Sequence, residues 1–105
     1  MSEFVKVASA SAIPDPGRVT VDIEDRIVVV FHLDGEFFCI DDVCTHDGGP
    51  LGEGELQNHC IACPRHGALF DIRTGAALTM PATEPTSSHE VKVEGDDVLV
   101  RLTDD

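Results

Sequence analysis

Short apolar runs, broken every few positions by glycine, proline or paired acids, cover most of this chain. Over residues 18–23, Val19, Val21 and Ile23 alternate with polar neighbours, the period of two that marks a half-buried strand. Residues 26–33 and 36–40 are continuous apolar, β-branched and aromatic runs, and Asp34-Gly35 between them is a two-residue hairpin signal. Glu24-Asp25 marks a turn before them. Further strands are expected at 4–8, 59–62, 68–72, 90–93 and 98–102, the last two joined by a turn at Gly95-Asp96-Asp97. Residues 10–17, 41–55 and 80–88 carry prolines and glycines and read as loops. No helix of convincing length and no internal repeat is visible. The pattern predicts an all-β fold, a small antiparallel sandwich or barrel of about eight to ten short strands.

The length of 105 residues suits one domain over 1–105, and no linker divides it. The core must rest on Val, Ile, Leu and Phe, because the chain has no Trp and no Tyr. The net charge of −13 makes nucleic acid and anionic membrane surfaces poor partners, since phosphate repels such a surface. A basic protein partner suits it, because opposite fields raise encounter rates. The first residues lack the basic and apolar regions of a signal peptide, and the longest apolar run, 27–31, is too short to span a bilayer. A cytoplasmic protein, monomeric in isolation, is expected. In that compartment four cysteines point to metal or reactive thiols before structural disulfides.

The chemistry concentrates where the strand pattern stops. Cys44-Thr45-His46 lies in the first long loop, sixteen residues before Cys63-Pro64-Arg65-His66-Gly67. Each stretch supplies one thiolate and one imidazole. Structural zinc is one reading, although its usual arrangement groups the cysteines in one pair and the histidines in the other. Four unconnected core thiols and surface histidines are a second. The third is a [2Fe–2S] cluster in which two histidines replace two cysteines on one iron.

The paired stretches resemble the Rieske motif, C-x-H followed by C-x-x-H, and the resemblance spans nearly the whole chain. It implies one [2Fe–2S] cluster held by Cys44, His46, Cys63 and His66, with the cysteines on the inner iron and the histidines on the outer. It implies a cluster-binding subdomain of two loops over about 42–72. Glycines 48, 49 and 67 would let backbone N–H groups approach the sulfides, and Pro81 lies where Rieske proteins place a third, covering loop. The loop-to-loop disulfide of the high-potential members is missing, because Gly49 and Arg65 occupy its positions. Ala68 and Phe70 stand where those proteins carry Ser and Tyr hydroxyls, so a potential toward the low end of the range is expected.

The chain is most similar to soluble Rieske-type ferredoxins that pass one electron from a flavoprotein reductase to a terminal oxygenase. It would therefore be an electron carrier and not itself an enzyme. The small subunit of an assimilatory nitrite reductase, a ferredoxin of iron–sulfur assembly and a zinc-bound interaction domain are the alternatives. Arg65 is expected to be exposed near the partner face with a docking role, and the acidic surface suits a basic docking patch. Asp47, beside a ligand, either orients it or is simply solvated. Cys39 and Cys60 read as buried small hydrophobes, with a bond between them left open. His32, His59 and His89 read as structural or surface residues.

Overall fold

The computed structural model describes residues 3–43, 49–64, 67–80 and 84–103. The described residues form nine strands: β1 (Val5–Ser9), β2 (Gly17–Ile23), β3 (Arg26–Leu33), β4 (Glu36–Asp41), β5 (Leu56–Gln57), β6 (Cys60–Ala62), β7 (Leu69–Asp71), β8 (Ser88–Glu94) and β9 (Asp97–Arg101). A single 3-10 turn spans Ala10–Ala12. Among these residues no helix is long and apolar enough to cross a membrane.

Six strands form one antiparallel sheet in the order β1-β9-β8-β4-β3-β2, and three form a second in the order β5-β6-β7. The tight turns follow from backbone chemistry. Asp34 and Gly35 both take positive φ, 53° and 79°, as the type I′ hairpin requires. Glu24 and Asp25 do the same at 51° and 68° without a glycine. The last hairpin differs from the sequence expectation. Asp97 pairs with Glu94 and begins β9, so the loop is Gly95-Asp96 alone, with Gly95 at φ 62°.

The run at 27–31 lacks alternation because β3 is covered on both faces. Val29 and Phe31 face one core with Ile40, Leu51, Ile61, Cys63, Ala68, Phe70 and Ile72. Val28 and Val30 face a second core with Ile13, Ile23, Cys39, Val98 and Val100. Only Ile27, at the start of the run, is exposed. The first core joins the large sheet to the small one, and it takes in Leu51, Cys63 and Ala68, which lie in or beside the Cys/His stretches in sequence.

β5 was not foreseen. It has two residues, Leu56 and Gln57, too few to show a period, and exists through pairing with Ile61 and Cys60. β8 starts two residues before the apolar pattern does. Ser88 and His89 pair with Ile40 and Cys39 of β4, and the rest of β8 pairs with β9. Tertiary hydrogen bonding extends the strand through residues whose side chains gave no strand signal.

Candidate metal centre

The first Cys/His segment leaves β4 at Asp41. The Asp42 N–H donates to the carbonyl of Ile27 at 3.0 Å. The Asp42 carboxylate accepts the N–H of Gly52 at 2.6 Å, so the two ends of the intervening loop are clasped together. Leu51, fully buried in the first core, anchors the returning arm. Gly54 then passes so close to β6 that a Cβ on it would lie 1.7 Å from the Ala62 carbonyl oxygen. Sequence alone placed Gly54 in the loop at 41–55; its position shows a packing role. The Gly54 carbonyl also accepts Arg18 Nη1–H at 2.6 Å, tying this arm to β2.

The second segment begins where β6 ends. Cys63 is 1% exposed and packs in the first core with Leu51, Ala68 and Phe70. Its N–H donates to the Ala68 carbonyl and its own carbonyl accepts the Gly67 N–H, both at 2.8 Å. These bonds close the neck of a tight turn, and Gly67 supplies the left-handed residue it needs, φ 76°. The Gly67 N–H is therefore committed to Cys63 and is not the sulfide donor expected from the sequence.

A third segment completes the frame. The Leu78 N–H donates to the Leu69 carbonyl at 2.8 Å, and the Leu69 N–H donates to Thr79 Oγ1 at 2.9 Å. The chain returns where Thr86 N–H donates to Gly75 and Asp41 N–H donates to Ser87. Gly75, at φ 82°, admits this approach, since a Cβ there would sit 2.0 Å from the Thr86 carbonyl oxygen. The roots of the three segments thus touch pairwise: first to second at Gly54 and Ala62, second to third at Leu69, third to first at Ser87. Leu78 and Met80 are exposed on this rim, Met80 by 75%.

Of the four predicted ligands, Cys63 is placed in this frame. Cys44, His46 and His66 lie outside the described residues, as do Arg65, Asp47, Gly48 and Pro81. The chemistry of the donor set fits an iron–sulfur cluster. Cys63 offers a thiol sheltered by apolar side chains, and no disulfide engages Cys39, Cys60 or Cys63. Ala68 and Phe70, both fully buried beside Cys63, bring no hydroxyl to it.

The remaining cysteines and histidines have structural surroundings. Burial, with the Asp41 charge nearby, pushes the Cys39 thiol up to about 12, so it stays a thiol at neutral pH. Cys60 is half-buried on the other sheet. His32 stacks on Phe37 at 4.0 Å between ring centres, and its Nδ1–H donates to the Ile13 carbonyl at 2.7 Å. His59 meets the edge of Phe38. His89, with a fully buried side chain, pairs with Asp41, a contact that no sequence signal marks because 48 residues separate the two.

Comparison with known proteins agrees with this frame. The family model for the Rieske [2Fe-2S] domain matches residues 3–101. The 3-phenylpropionate/cinnamic acid dioxygenase ferredoxin subunit of Photorhabdus laumondii is 37% identical over 100 residues, 94% of each chain. Among solved structures, the Sphingomonas yanoikuyae B1 ferredoxin is 31% identical with a TM-score of 0.88, covering 96% of this chain and 100% of that one. A chain in a complex of reduced oxygenase and oxidized ferredoxin in carbazole 1,9a-dioxygenase is also 31% identical with a TM-score of 0.88, over 93% of this chain and 92% of that one. Three segments joined at their roots, a sheltered Cys63 and a match across almost the whole length lead to one conclusion: this chain belongs to the Rieske [2Fe–2S] domain family, and one such cluster is its cofactor.

Proposed function

We propose that this protein is the ferredoxin component of a ring-hydroxylating dioxygenase system, carrying one electron at a time from a flavoprotein reductase to a terminal oxygenase. The observation that carries the reading is the near end-to-end correspondence with a dioxygenase ferredoxin subunit, 94% of each chain. A relative of matching size found in complex with an oxygenase supports the direction of transfer. The protein is an electron carrier within an oxidoreductase system and not itself an enzyme.

Cys44, Cys63, His46 and His66 would hold the cluster, the cysteines on its inner iron and the histidines on its outer iron. When bound, the cluster supplies a one-electron couple whose potential the two neutral imidazoles raise above that of an all-cysteine site. The chain's own residues do the rest. Cys63 is held by the neck of its turn, so its sulfur enters a fixed, dry position. Leu51 and Phe70 exclude water beneath it. Ala68 and Phe70 withhold the hydroxyl donors that would raise the potential further, which places it toward the low end of the Rieske range, on the order of −150 mV. The whole chain forms one domain, with the cluster-binding part over about 42–72. The net charge of −13 suits a basic docking surface on both partners and a cytoplasmic setting.

Low-temperature EPR after dithionite reduction tests this reading. A rhombic signal with average g clearly below that of all-cysteine clusters is expected, with re-oxidation on adding a ring-hydroxylating oxygenase. A colourless sample that takes up zinc in preference to iron and sulfide overturns it.

A further inference from the structure

His89 occupies the point on β8 where pairing passes from β4 to β9. Its side chain is wholly buried. The Thr103 backbone N–H donates to Nδ1 at 3.1 Å, which leaves Nδ1 as the acceptor and puts the ring proton on Nε2. Nε2–H then donates to Asp41 Oδ1 at 2.7 Å. The same Asp41 oxygen also receives Arg26 Nε at 3.2 Å. Beside the ring, Thr103 Oγ1–H donates to the Ser88 carbonyl at 2.5 Å. Three parts of the chain therefore meet at one imidazole: the C-terminal residues, β8, and the end of β4.

The end of β4 is where this matters. Asp41 is the last residue of β4 and stands three positions before Cys44. Its N–H is held by Ser87, and the next residue, Asp42, clasps Gly52 across the first loop. A histidine that fixes the Asp41 carboxylate fixes the root from which the first ligand segment departs. Neither Asp41 nor His89 was marked by the motif; what sets this histidine apart is that its two ring nitrogens join the C-terminal residues to the loop root.

We propose that His89 is a positioning residue for the cluster: through Asp41 it ties the C-terminal residues to the root of the segment that carries Cys44 and His46. The inference rests on the ligand assignment proposed above. Groups hydrogen-bonded directly to a metal ligand cost about 10–100-fold in metal affinity when lost; His89 touches no ligand and acts through Asp41, so its loss is expected at or below the lower end of that range.

The experiment compares cluster-loaded wild type, His89→Leu, His89→Gln and Val98→Ala. Val98 is buried in the second core, so its truncation loosens the fold without touching the node. Two quantities are read: the EPR line widths of the reduced cluster, and the rate at which visible absorbance is lost in excess EDTA. His89→Leu is expected to broaden the lines and to speed cluster loss several-fold, up to about tenfold. His89→Gln, which keeps a donor for Asp41, restores a rate near wild type. Val98→Ala lowers the melting temperature with line widths unchanged. Truncation after Leu102 removes the Thr103 partner without opening either core, and gives the same broadening if His89→Leu does not accumulate. Line widths and loss rates for His89→Leu and the truncation that equal those of Val98→Ala overturn the proposal. If wild type itself gives no His-ligated signal, the cluster assignment fails first, and the two failures are told apart.

Discussion

Replacing Gly54 by alanine tests the packing of the site more sharply than any ligand change. The new Cβ would lie 1.7 Å from the Ala62 carbonyl oxygen, whereas real Cβ atoms essentially never approach closer than 3.0 Å, so something must move by at least 1.3 Å. Neither side gives easily. Gly54 donates to Leu51 at 2.9 Å and accepts from Arg18 at 2.6 Å. Ala62 donates to Glu55 at 2.9 Å and pairs with Leu69 in the small sheet. The obstacle is backbone on both sides, so the cost belongs at the upper end of overpacking, about 3 kcal/mol. For a domain of this size, about 4 °C of melting temperature accompanies each kcal/mol at the least, which gives a drop of about 12 °C.

Gly67→Ala is the matched control. Among the described residues a Cβ at Gly67 meets nothing within 4 Å, and its φ of 76° is what opposes the change. That costs about 1 kcal/mol, or about 4 °C. Far-UV circular dichroism and the visible absorbance of the cluster, followed through one heating scan, read both variants. Because Ala62 precedes Cys63, Gly54→Ala should also lose colour before it loses secondary structure. A Gly54→Ala protein that melts no lower than Gly67→Ala would refute the close-approach argument.

Three other outcomes follow from the structure. In native protein at pH 8, iodoacetamide should label half-buried Cys60 while Cys39, pushed up to about 12 by burial, stays unmodified; equal labelling by mass spectrometry contradicts the placement of Cys39. Asp71 is held below the usual carboxylate range by its hydrogen bonds from Arg73. Its stabilising contribution is therefore complete above the unfolded carboxylate value and disappears as the pH falls through the lower, folded value. Melting temperatures from pH 6 downward should fall less steeply for Asp71→Asn than for wild type, and parallel curves would rule this out. Phe70→Tyr places a hydroxyl in the fully buried layer around Cys63, and a protein-film or dye-coupled titration should find the midpoint potential raised; an unchanged or lowered value would mean that the hydroxyl does not reach the cluster sulfurs.

Much of the architecture was legible because it is written in local chemistry. The alternation of Val19, Val21 and Ile23, the turn at Asp34-Gly35 and the presence of a hairpin at Gly95, though not its exact length, each depend on residues a few positions apart that backbone sterics constrain. The cofactor was legible for a similar reason. A thiolate and an imidazole one or two residues apart, twice over, match the needs of one metal centre and of little else. Where the sequence pattern misled, the cause was distance. Gly54 reads as a loop glycine until Ala62, eight positions on, is laid against it. β5 has no period to show, and β8 begins in polar residues because β4 offers them hydrogen bonds. The sequence by itself therefore determined most of the strands, the tight turns and the kind of cofactor. The tertiary structure alone decided that Asp42 clasps Gly52, that Cys63 is dry, and that His89 reaches Asp41 across 48 residues. A buried polar group must find a partner wherever the fold supplies one, and no short-range pattern can encode which residue that will be.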